Sequence, residues 1–124
     1  MKKIFTLCLL LISLTPFAQT HLVISQVYGG GGNTGAPFTN DFIELYNPTA
    51  AAINVNGYSV QYAASTGTSW AVTPLPDSTI QPGHYFLIQE VKGGAIGAAL
   101  PTPDATGTIN LSATKGKVIL VSST

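Results

Sequence analysis

Apolar and polar residues alternate along most of this chain with a period of two, the pattern of strands that bury one face. Between residues 22 and 28, Val23, Ser25 and Val27 share one face while Leu22, Ile24, Gln26 and Tyr28 share the other. Both faces are partly apolar, which suits a strand inside a two-layer structure. In residues 40–48, Ile43 and Leu45 fall on a core face and Phe42, Glu44 and Tyr46 on the opposite one. Ile53 and Val55 occupy odd positions, whereas Tyr58, Val60 and Tyr62 occupy even ones. That change of phase predicts a bulge or bend at Gly57, a residue that tolerates unusual dihedrals. Further strands are predicted at 69–72, 84–91, 108–111 and 117–121, each bounded by Gly, Pro, Asp or Ser. No stretch sustains a helical period.

The connections carry their own signals. Pro48 removes a ladder donor and ends its strand, Pro82-Gly83 predicts a tight turn with a positive φ at Gly83, and Pro101 to Asp104 forbids regular pairing. The glycine-rich segment 29–35 reads as a flexible inter-strand connection, and 93–99 as either a mobile loop or a weak helical turn. Many short strands without intervening helices predict an all-β fold, a sandwich of two antiparallel sheets in a single domain.

The first residues change the picture of the compartment. Lys2 and Lys3 precede an apolar run at 4–14 that is short for a bilayer span, and Ala18 supplies a small residue for cleavage. Residues 1–18 therefore read as a signal peptide and 19–124 as the mature domain, secreted or at the cell surface, with no transmembrane segment. Cys8, the one cysteine, leaves with the signal, so no disulfide framework supports the mature chain. What remains is slightly acidic: Lys92, Lys115 and Lys117 against Asp41, Glu44, Asp77, Glu90 and Asp104. Without arginine and with three scattered lysines, a phosphate-tracking groove is excluded and no direct contact with nucleic acid is expected.

The candidate chemistry yields to structural readings. Gly30, Gly32 and Gly35 match the spacing of a dinucleotide loop, but residues 36–41 lead into a strand rather than the helix N-terminus that pyrophosphate needs. Gly116-Lys117 lacks the upstream glycine and following hydroxyl of a P-loop. Asp41 and Glu44, three apart on a strand, point to opposite faces and cannot work as an acid and base pair. Glu44 reads as an outward or hydrogen-bonded sheet carboxylate, and Asp41 and Asp104 as turn caps. No spaced loop of calcium ligands is present. His21 and His84 are isolated, the first at a solvated terminus and the second at a strand edge. Ser59 lacks the second glycine of a nucleophile elbow. Trp70 is assigned to the core in preference to a stacking platform with Tyr58 and Tyr62. No catalytic, cofactor-binding or metal-ligating residue is expected, and the chain is not read as an enzyme.

The segments 22–33, 40–47 and 57–62, with 101–114 and 116–121 following in order, resemble the lamin-tail domain of secreted bacterial proteins. The resemblance implies an immunoglobulin-like β-sandwich that serves as a non-catalytic accessory or interaction module. Domains of that family usually continue beyond a strand like 116–121. The resemblance thus implies a fragment lacking its last strand or strands, with an open sheet edge able to self-associate. The expected function is an exported binding or structural module that contacts a protein or cell-surface polymer. The alternative is the N-terminal accessory domain of a secreted nuclease or phosphoesterase whose catalytic region lies elsewhere.

Overall fold

The computed structural model describes residues 19–122, which form nine strands and no helix. They are β1 (Val23–Tyr28), β2 (Asn40–Tyr46), β3 (Ile53–Asn54), β4 (Ser59–Ala63), β5 (Ala71–Pro74), β6 (Thr79–Ile80), β7 (Tyr85–Lys92), β8 (Ala105–Thr106) and β9 (Lys117–Val121). One sheet has the order β1-β2-β7-β8, a second the order β5-β4-β9, and β3 pairs with β6 in a small ribbon. Every pairing is antiparallel except β7 with β8.

The core lies between these sheets. Ile43 sits opposite Ile88 and Leu45 opposite Phe86 across β2 and β7, and all four are buried, as the alternation of residues 40–48 requires. Val60 faces them from the three-stranded sheet, Val55 and Ile80 close one end, and Ile109 and Leu111 fill the space between the layers. Each such side chain contributes about 1.5–3 kcal/mol by leaving water. The architecture is an immunoglobulin-like β-sandwich.

The turns follow their local chemistry. Gly57 has a φ of 79°, and Tyr58 N–H donates to the Val55 carbonyl at 2.9 Å. Gly83 has a φ of 73°, with His84 N–H donating to the Gln81 carbonyl at 3.1 Å. Both glycines occupy the left-handed region that other residues avoid.

Four local expectations are corrected. In β1 the alternation breaks at Ser25, where the register against β2 shifts between Ile24 and Gln26. Ile24 and Val27 consequently stand opposite the core residues Leu45 and Ile43, although an unbroken strand would turn them to opposite faces. Residues 108–111 form no strand; the amides of Ile109 and Leu111 are taken by side-chain carboxylates, and the segment lies across the core as a strap. Segments 29–35 and 93–99 are packed against each other, bridged at Gly32 and Ile96, and a Cβ at Gly32 would collide with the Gly94 backbone. Trp70 lies outside the core, 39% exposed, with Lys117 Nζ 5.5 Å from its ring centroid. A cation over the ring face, rather than apolar burial, holds it.

Candidate functional site

The acidic residues come first, because paired carboxylates are the commonest start of hydrolytic chemistry. Asp41 projects inward from β2 beside Ile43, and Glu90 projects inward from β7 beside Ile88; they are 1% and 2% exposed. Asp41 is no self-capping turn residue. Its Oδ1 accepts Gly31 N–H at 2.7 Å and its Oδ2 accepts Leu111 N–H at 2.7 Å, tying the glycine turn and the strap to the same strand. Glu90 Oε2 accepts Ile109 N–H at 2.8 Å, one step earlier along that strap. Charge-assisted bonds of this kind contribute about 1.5–3 kcal/mol each. Because the strap brings Ile109 and Leu111 into the core as alternate residues, two inward carboxylates on neighbouring strands meet two successive inward-facing amides.

Burial pushes the Glu90 carboxyl above the usual carboxylate range, opposed by the Ile109 amide, while the negative Asp41 nearby adds to the rise. Glu90 Oε1 and Thr73 Oγ1, across the interface on β5, are buried without hydrogen-bond partners. Gly107 lies against both residues, and a Cβ there would collide with each of them. Both carboxylates are buried, and neither lines the groove between β1 and β9.

The remaining candidates stand apart. Glu44 lies on the outer face of the sheet as expected, with the Ser25 hydroxyl donating to its Oε1 at 2.7 Å. Asp104 Oδ2 accepts Leu87 N–H at 2.8 Å and thereby aligns β8 beside β7, rather than capping its own turn. His21 and His84 are both exposed and far from each other in the fold's order, the first at the start of the described chain and the second just before β7. Among the described residues no group of three or more His, Cys, Asp or Glu side chains is arranged to hold a metal ion. Nor is any helix there long and apolar enough to cross a membrane.

The accessible feature is instead a groove. It measures about 670 Å³ and runs between the edge strands of the two sheets, lined by Leu22, Ile24, Ile53, Tyr58 and Leu120, with His21 at its rim. Its floor is side chains packed against the core, and its walls are the outermost strands β1 and β9. Sequence reasoning identified the longer strands but neither the short β6 and β8 nor the groove, since no local pattern reveals which edges of two sheets lie side by side. Glu90 was equally hidden: its role becomes visible only once the strap is seen to cross beneath it.

The inward acids of this sandwich bind its own backbone, and its accessible apolar surface lies along strand edges. The family model of the lamin tail domain matches residues 15–124, and the chain belongs to that family. No curated protein matches it.

Proposed function

We propose that this chain is an exported, non-catalytic module that contacts extended polypeptide through the seam between β1 and β9. The observation that carries the reading is the contrast between its two chemistries. The carboxylates are consumed in holding the strap, while an apolar groove of about 670 Å³ beside an unpaired strand stays open. Backbone pairing along such an edge supplies affinity, and alternate side chains entering the groove supply selectivity.

The test uses a chain beginning at Gln19, which holds every element described. A short peptide of alternating valine and threonine is titrated while backbone amide resonances are followed. Shifts confined to β1, β9 and the groove residues Leu22, Tyr58 and Leu120 are expected; shifts confined to the opposite edges β5 and β8, or none, overturn the reading. The same preparation, offered a phosphate diester with magnesium, calcium, manganese or zinc, is expected to release no product. Turnover that disappears in Asp41→Asn would replace the module with an enzyme.

A further inference from the structure

Among the described residues the two main sheets end in four edge strands, and three of them carry features that discourage pairing with another chain. β1 is broken by the bulge at Ser25, β8 is two residues long, and β5 is four residues long and ends on Pro74. Bulges, shortness and proline are the ordinary protections of a sheet edge. β9 has none of them. Its five residues, Lys117-Val118-Ile119-Leu120-Val121, pair with β4 without a register shift, contain no proline, and carry charge only at the first position.

The side chains of β9 also sort by face. Val118 and Leu120 pack against the core, Leu120 reaching into the groove, while Ile119 on the opposite face is 40% exposed. Ile119 and Val72 flank Gln61 in the ladder, so the outer-face row is apolar at both ends and polar at its centre. A strand laid against the free edge would meet apolar residues on both faces.

We propose that the occupant of this edge is the β9 of a second copy of the same chain, paired antiparallel about a two-fold axis at Ile119. This inference rests on the reading of the seam as a polypeptide-binding edge and names its partner. The register with Ile119 opposite its own copy engages all five residues, with Val118 opposite Leu120 and Lys117 opposite Val121. The two lysines are thus kept apart, and like charges do not face each other. Each Leu120 gains a neighbouring Val118 at the mouth of the groove, and two three-stranded sheets become one six-stranded sheet. An isologous contact of this kind closes on itself and yields a dimer rather than a filament.

Cysteine scanning tests the register, because a chain beginning at Gln19 contains no cysteine of its own. Residues directly opposite across an antiparallel pair have Cα atoms about 4.5–5.5 Å apart, within reach of a disulfide. Ile119→Cys is expected to cross-link into a dimer under mild oxidation at least about tenfold faster than Val121→Cys, whose copies lie several residues apart along the strand. Sedimentation equilibrium of the parent chain up to about 1 mM should show a reversible dimer. Ile119→Lys, an exposed position that sets two cations face to face, should weaken it at least about tenfold without lowering the thermal midpoint at dilute concentration. A monomer throughout, equal cross-linking at the two positions, or a dimer indifferent to Ile119→Lys overturns the proposal. If such a monomer still binds the valine-threonine peptide along β9, the pairing alone fails; if it binds nothing there, the polypeptide-binding edge fails with it.

Discussion

Asp41 and Glu90 are chemically alike and sit side by side, yet their surroundings assign them different energetics. Asp41 has both oxygens engaged by backbone amides, so Asp41→Ala strands two buried N–H groups and should lower unfolding free energy by about 3 kcal/mol in urea titrations. Glu90 has one oxygen engaged and one buried without a partner. Its folded pKa lies above the ordinary value of 4.5, so the folded state holds the proton more tightly than the unfolded chain does. The stabilisation from this group is complete below that value and is lost as pH rises through the raised folded pKa. Glu90→Gln keeps an oxygen for Ile109 and stays neutral. Urea midpoints of this variant should lack the parent's decline attributable to Glu90 as pH rises above the ordinary carboxylate range, leaving the variant the more stable of the two at the upper end. The Asp41 charge and the Thr73 hydroxyl facing Glu90 are unchanged in the comparison.

Among the elements, the two glycine segments are the clearest case of mutual dependence. Gly32 has a φ of 75° and lies so close to Gly94 that neither backbone leaves room for a side chain. Gly93 presses in the same way on the Gly31 carbonyl. Gly32→Ala combines a disfavoured dihedral with a steric collision, and a loss of about 3 kcal/mol is expected from thermal or chemical unfolding. Gly35→Ala, where the dihedral is equally positive at 81° but the space is open, should cost about 1 kcal/mol. The difference between the two measures the packing of one loop on the other. Read from sequence alone, the same glycines suggested freedom of movement, because residue type reports which dihedrals are allowed and not what presses on the backbone.

For the whole molecule, the absence of cysteine and arginine after residue 18 leaves apolar burial and backbone hydrogen bonding to hold the sandwich. Reducing agent should accordingly leave the thermal midpoint of a chain beginning at Gln19 unchanged within experimental error; a drop would reveal a covalent link that its composition forbids. The expected leader, residues 1–18, lies outside the described residues. Its role is read by mass spectrometry of the chain recovered from the medium of an expressing bacterium, where an N-terminus at Gln19 is anticipated.

The alternation around Ile43, Leu45 and Val60, and the glycine turns at Gly57 and Gly83, were legible because each depends on neighbours one to three residues away. Period-two patterning selects a face, and a required positive φ selects glycine, wherever the strand or turn finally sits. The bulge at Ser25, the irregular strap through Ile109 and Leu111, the exposure of Trp70 and the groove beside Leu120 depended on residues distant in the chain. Amides at 109 and 111 could have joined a strand ladder; two carboxylates, 19 and 70 residues away, took them instead. Local sequence thus determined which segments extend and which face turns inward, while the meeting of remote polar groups decided which backbone atoms pair and which edges stay open.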